Sequence, residues 1–158
     1  MLQVNFYLYF LLLLLLVFGI NEINKNDKEE YISEEMYPVQ ASDWLLSYIE
    51  ENDISKEEFH LYNGYNYGSY LLYRGIPVFI DSRAEQPYSP EFNEGVTVFD
   101  DYMEVSNGRT SYSDLFEKYD INYAICYQAS IENTYMKEDE NCIELYSDEN
   151  FIIYKIEN

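Results

Sequence analysis

From Asn63 to Arg83 the chain reads NGYNYGSYLLYRGIPVFIDSR, and this stretch decides the predicted fold. Asn63-Gly64 breaks a preceding strand, and an amphipathic helix over Tyr67–Tyr73 then stops at Gly75. The continuous apolar run Ile76–Asp81 predicts a strand that is buried on both faces. The stretch therefore predicts a strand–turn–helix–strand unit.

The rest of the chain continues the alternation of strands and helices. The pattern predicts helices over Pro38–Asn52, Val96–Val105, Ser113–Tyr119 and Ile131–Met136, and further strands over Phe59–Tyr62, Asn122–Tyr127, Ile143–Tyr146 and Phe151–Ile156. Ser111 or Ser113 is expected to cap the third of these helices. Ser147-Asp148-Glu149-Asn150 is a hairpin signature between the last two strands. We expect an α/β fold: a small mixed β-sheet with flanking helices and a C-terminal β-hairpin.

The N-terminus predicts a membrane anchor. Residues 1–20 carry no charge and, as a helix, would span roughly 30 Å, enough to cross a bilayer. A cleaved signal peptide is the alternative, but the first basic residue is Lys25 and no small-residue cleavage site follows. We therefore expect a retained transmembrane anchor over 1–20, an acidic tether over 21–36 and a soluble α/β domain over 37–158.

The charge excludes one class of partner. The chain has 30 acidic and 9 basic residues, a formal net charge of −21. Such a surface repels phosphate backbones, so we expect no nucleic-acid role. Neither cofactor nor metal is expected, because no phosphate-binding glycine loop and no ligand-spaced Cys/His set is present in the sequence.

The two cysteines, Cys126 and Cys142, leave two readings open. Each falls in or at the start of a predicted strand, so a disulfide is conceivable if those strands are neighbours and the domain is extracytoplasmic. Two free, buried thiols are the alternative.

Polar residues at predicted strand ends suggest a ligand site, because the ends of open α/β strands are where ligands usually bind. Asp81 and Arg83 could grip a polar or sugar ligand beside tyrosines that stack on a sugar ring. The alternative is that Asp81 and Arg83 form an ion pair, with Asn63 and Asn66 capping turns. The candidate ligand-binding residues are Asn63, Tyr65, Asn66, Tyr67, Tyr70, Asp81 and Arg83. No catalytic residue is predicted, because no nucleophile or base constellation can be assembled around the single histidine, His60.

The order of motifs resembles the C-terminal soluble domain of many-spanning (GT-C-like) membrane glycosyltransferases of bacteria and archaea. The matching stretches are Tyr37–Trp44, Tyr65–Leu71, Val78–Arg83, Asp101–Val105, Leu115–Ile125 and Tyr146–Phe151. The chain departs from the family at Tyr67, where a tryptophan is usual, and at Ser69, where a second glycine is usual. In that family catalysis on lipid-linked sugars is attributed to loops between membrane helices, and those helices are absent from this sequence.

The resemblance implies a non-catalytic, extracytoplasmic domain of a membrane glycosyltransferase-like protein, split or truncated, that contributes to acceptor or sugar recognition. Its partners would be the membrane, through one helix, the missing multi-spanning subunit, and a sugar or peptide ligand. The alternative is a free-standing, membrane-anchored module that binds a carbohydrate or a peptide. A hydrolase is disfavoured, since no site for one can be assembled.

Overall fold

The structure is a computed structural model, and it describes residues 9, 13–14, 32–83, 90–92 and 94–157. Within these residues no helix is long and apolar enough to cross a membrane. The predicted anchor over 1–20 lies outside the described residues apart from residues 9, 13 and 14, which are helical, and so does the tether as far as residue 31. Contacts divide the chain into residues 1–33 and 34–158, and the second unit is described from here on.

The second unit is an α/β fold, as predicted. Its elements are α1 (Val39–Glu51), β1 (Leu61–Asn63), α2 (Tyr65–Tyr73), α3 (Val98–Ser106), α4 (Tyr112–Tyr119), β2 (Tyr123–Tyr127), α5 (Ile131–Met136), β3 (Cys142–Ser147) and β4 (Phe151–Ile156). The four strands form one mixed sheet in the order β1-β2-β4-β3. Strand β1 is parallel to β2, whereas β4 is antiparallel to both β2 and β3.

The sheet has helices on both faces. On one face Tyr62, Cys126 and Tyr154 pack in a core with residues of α3, α4 and α5. On the other face Leu61, Ile125 and Ile153 pack with residues of α1 and α2. Successive strand residues thus alternate between the two cores, as the period of two in a strand requires, and the result is a three-layer sandwich.

The predicted hairpin is confirmed. Strands β3 and β4 pair in antiparallel fashion, with an irregular register between Glu144 and Tyr146. The connecting turn is held by Asp148, whose Oδ1 accepts hydrogen bonds from Asn150 N at 2.8 Å and Phe151 N at 2.7 Å. A short Asx side chain that accepts from amides two and three residues on is the usual reason for Asp in such turns.

Local capping explains where two helices begin. Ser111 precedes α4 and its Oγ accepts from Ser113 N at 3.2 Å, which confirms one of the two predicted caps. Helix α2 begins at Tyr65, two residues before the predicted start. Its first amide is satisfied there by a side chain, since Tyr65 N donates to the Tyr102 hydroxyl at 3.0 Å.

The predicted strand over Ile76–Asp81 is wrong. The segment is buried at Ile76, Ile80 and Asp81, as an apolar run suggests, but it forms no strand. Pro77 has no amide hydrogen to give to a ladder. The partner of the segment is the side chain of Asn63, which takes the hydrogen bonds that a neighbouring strand would take.

Candidate functional site

The hydrogen bonds of the Asn63 side chain are made within the protein. This side chain is completely buried at the end of β1. The Oδ1 atom accepts from Phe79 N at 2.8 Å, and Nδ2 donates to Ile80 O at 2.8 Å and to Gly64 O at 3.0 Å. The amide thus fastens the segment 76–81 to the edge of the sheet.

Asp81 and Arg83 form the ion pair that the sequence left as the alternative to a ligand site. Arg83 Nη2 donates to Asp81 Oδ2 at 2.6 Å, and Arg83 Nε donates to Oδ1 at 2.9 Å. The Arg83 amide also donates to Asp81 Oδ1 at 2.9 Å. The Asp81 side chain is fully buried, whereas that of Arg83 is 61% exposed. This pair therefore stabilises the start of the loop after Asp81.

We expect Arg83→Ala to lower the free energy of unfolding by about 1 kcal/mol. The substitution removes the charge-assisted hydrogen bonds that the partly exposed guanidinium of Arg83 donates to the buried carboxylate of Asp81. The matched control is Arg109→Ala, which removes an exposed pair with Glu104 and should cost at most about 0.5 kcal/mol. Urea denaturation of both variants measures the difference. Equal effects would show that burial of Asp81 adds nothing to the pair.

Of the three tyrosines predicted at the site, two line a cleft and the third, Tyr70, does not. Tyr70 lies on the α1 side of α2, where its hydroxyl accepts from Arg74 Nη1 at 2.9 Å and its ring packs against Tyr37. Tyr67 is buried and its hydroxyl donates to Ile125 O at 2.8 Å. Tyr65 and the exposed Asn66 lie at the start of α2, beside a cleft. Of the seven predicted site residues, Tyr65, Asn66 and Tyr67 line this cleft, and the others do not.

The cleft opens where the parallel strands β1 and β2 end. We call it the strand-end cleft, and define it by Tyr62, Tyr65, Asn66, Tyr102, Tyr127 and Glu132, which line it together with Tyr67 and smaller residues. Its volume is about 320 Å³, at the lower end of the range of about 300–1,000 Å³ for small-ligand pockets. The carboxyl ends of parallel strands are the usual place for such a site in an open α/β sheet.

Among the described residues, Glu132 is the one charged residue that lines the strand-end cleft, and it is only 8% exposed. Its Oε1 accepts from the hydroxyl of Tyr62 at 2.9 Å. Burial, and next the charge of Glu132, raise the pKa of Tyr62 far above its usual range, so this hydroxyl stays protonated and keeps donating.

The neighbours of Glu132 fix its position. The Oγ of Ser130 accepts from Asn133 N at 3.1 Å and caps α5. The Asn133 side chain donates to Gln128 O at 2.9 Å and accepts from the hydroxyl of Tyr154 at 2.8 Å. Because Ser130 and Asn133 are tied to the chain around them, the turn of α5 that carries Glu132 is held in place.

Cys126 and Cys142 are free thiols in the structure. A disulfide would need their strands to be neighbours, but β4 lies between β2 and β3. Cys126 pairs with Ile152 of β4 and Cys142 with Ile156, so the two cysteines are also offset along the sheet. The condition for the possible disulfide is therefore not met, and the structure has the alternative of two free thiols, with Cys126 buried and Cys142 half-buried. Within the described parts of the chain no cluster of His, Cys, Asp or Glu is placed to hold a metal ion.

The sequence reasoning missed Glu132, Tyr62, Tyr102 and Tyr127. A signal for Glu132 was present: it follows the strand Tyr123–Tyr127 by five residues, just after the helix-capping Ser130. The rule that ligands bind at the carboxyl ends of strands applies to this strand as well. Tyr102 gave no such signal, because only the packing of α3 on the sheet brings it to the cleft.

Comparison with known proteins found no match to a family model, to a curated protein or to a solved structure.

Proposed function

We propose that this chain is a non-catalytic, membrane-anchored binding domain that recognises a carbohydrate in the strand-end cleft. The observation that carries the proposal is the cleft itself, which combines several tyrosines with one buried carboxylate at the ends of parallel strands. Aromatic faces stack on the apolar face of a sugar ring. Tyrosine hydroxyls donate hydrogen bonds to the sugar's hydroxyl groups or accept from them, and a carboxylate accepts from them.

The wider setting of the proposal comes from the sequence. The uncharged residues 1–20 would anchor the chain as a single-pass membrane protein, and the domain would lie outside the cytoplasm. The resemblance to the C-terminal domain of membrane glycosyltransferases makes sugar or acceptor recognition the natural role, with catalysis left to a multi-spanning partner. A free-standing carbohydrate- or peptide-binding module is the second form of the proposal. A neighbouring reading frame for several hydrophobic helices would favour the first form, and unrelated sequence there the second.

We expect the full chain to bind members of an array of defined oligosaccharides, and Asn66→Trp to weaken that binding at least about tenfold. Asn66 is exposed at the cleft, so an indole there fills the space of the ligand without disturbing the core. The chain is kept in a zwitterionic detergent, because a glycosidic detergent would itself compete as a sugar. Calorimetry on the strongest array ligand gives the affinities.

The matched control is Tyr73→Trp, which places the same side chain on the same helix at a position that is 81% exposed and lies away from the cleft. Its affinity should equal that of the original chain. Absence of carbohydrate binding by the original chain, or equal loss in both variants, would overturn the proposed site.

A further inference from the structure

We infer that the ligand of the strand-end cleft carries a positively charged amino group that pairs with Glu132, so that the preferred carbohydrate is an amino sugar with a free amine. This inference rests on the proposed function and names the class of sugar. It starts from a feature that binding of a neutral sugar does not require, namely a buried carboxylate that has no cationic partner among the described residues.

Glu132 is reached from two sides. It lines the strand-end cleft, and it also lines a second cavity of about 300 Å³, whose other walls include Val105, Arg109, Tyr112 and Tyr135. A buried side chain between two openings is accessible to a small ligand even though little of its surface is exposed to bulk solvent.

No cationic side chain pairs with Glu132 within the part of the chain that the structure describes, and the compensation it has is its place in the first turn of α5. Its hydrogen-bond donor is the neutral hydroxyl of Tyr62, and none of the ion pairs formed by the described residues includes it. Burying a carboxylate is costly unless a cation or several donors compensate. Arg109 is the cation that lines the second cavity, but its guanidinium donates to Glu104 at 3.1 Å. An incoming cation would therefore meet a carboxylate that no cationic side chain of the described residues already pairs with.

The aromatic walls favour a cation as well. Tyr62 and Tyr102 lie with ring centroids 6.0 Å apart, and Tyr65 and Tyr127 complete the walls of the cleft. These tyrosines line the same cleft as the Glu132 carboxylate, and aromatic rings attract ammonium groups. Burial raises the pKa of Tyr102, so its hydroxyl stays neutral. The net charge of −21 also concentrates cations near the surface and speeds their arrival.

The test compares chitotetraose, which has four free amines, with its fully N-acetylated form, which has the same rings and linkages but no charge. Calorimetry on the full chain is done at mildly acidic pH, where the amines are protonated, and in added salt to suppress non-specific attraction. We expect chitotetraose to bind at least about tenfold more tightly than the acetylated form, because a hydrogen bond to a charged group is worth more than one between neutral groups.

Glu132→Gln should remove this preference, since the amide oxygen can still accept from Tyr62 and only the charge is lost. The matched control is Glu140→Gln, which makes the same change at an exposed position and should leave both affinities unchanged. A melting temperature close to that of the original chain shows that the Glu132 variant is folded. Arg109→Ala should leave the preference intact; its loss would mean that Arg109 shapes the site and that Glu132 does not act alone.

The outcomes separate the two proposals. Equal binding of the two tetramers, with no effect of Glu132→Gln, overturns the amino-sugar inference and leaves carbohydrate binding standing. Tighter binding of the acetylated form also overturns it. Binding of neither tetramer nor any other sugar on the array, with binding of a lysine-containing peptide that depends on Glu132, overturns the carbohydrate assignment itself.

Discussion

Gly68→Ala is expected to lower the free energy of unfolding by about 3 kcal/mol, the upper end of the usual cost of forcing atoms into a packed interior. Gly68 lies in the middle of α2, where the helix crosses the segment 76–81. A Cβ built on Gly68 would stand 2.0 Å from Ile80 O and 2.9 Å from the Cα of Asp81. Both are backbone atoms, so no side-chain rotation can relieve the contact.

Helix propensity acts in the opposite direction but is too weak to decide the outcome. Alanine is better than glycine within a helix by roughly 0.5–1 kcal/mol. The steric cost is several times larger, and it falls on the same backbone that Asn63 holds in place. We therefore expect a melting temperature lower by about 10–15 °C for a domain of this size.

The matched glycine is Gly75, which has a φ of +82° and open space around its Cβ position. Gly75→Ala should cost only the strain of a left-handed backbone, roughly 1–2 kcal/mol. Thermal and urea denaturation of both variants compare the two costs. A Gly68→Ala protein that melts within a few degrees of the original chain would show that α2 does not pack on the segment 76–81 as closely as described.

The sequence predicts correctly those parts of the fold that depend on residues close together in the chain. The turn at Ser147–Asn150, the cap at Ser111 and helix α1 each depend on neighbouring residues, and the structure has them within a residue or two of the predicted bounds. The segment after Gly75 was assigned incorrectly, because an apolar run reports burial but not the partner of its hydrogen bonds. Here the partner is a side chain from β1.

The same distinction between local and long-range contacts applies to the candidate site. Tyr65, Asn66 and Tyr67, which the sequence singles out because they surround a glycine turn at a strand end, line the strand-end cleft. Asp81 and Arg83 were placed at the site by the same rule, but they pair with each other. Which of several polar residues near strand ends face a common cleft depends on how α3 and α5 pack on the sheet, and no pattern of spacing encodes that.

Asn63→Ala is expected to lower the free energy of unfolding by about 3 kcal/mol or more. The substitution removes the acceptor of Phe79 N and the donor to Ile80 O, at a position with no exposed surface. A buried polar group left without a partner costs about 1–3 kcal/mol, and at least two would be left here. The cavity left by the amide adds to this cost.

Two comparisons separate this explanation from simple loss of volume. Asn63→Asp keeps an oxygen for Phe79 N but places a second oxygen against Ile80 O in place of the Nδ2 donor, so it should be at least as damaging as alanine. Asn66→Ala, on an exposed asparagine three residues away, should change stability by no more than about 0.5 kcal/mol.

Amide hydrogen exchange measures more directly which backbone hydrogen bonds are lost in the Asn63 variants. If the side chain carries the hydrogen bonds of Phe79 N and Ile80 N, these two amides should lose protection in Asn63→Ala while those of β4 keep theirs relative to global stability. Uniform loss across the sheet would mean instead that the segment is held by burial of Ile76 and Ile80, and that Asn63 matters only as part of the core. The first result would show that one asparagine side chain takes the place of strand pairing. It supplies the segment 76–81 with the donor and the acceptor that a neighbouring strand would otherwise supply.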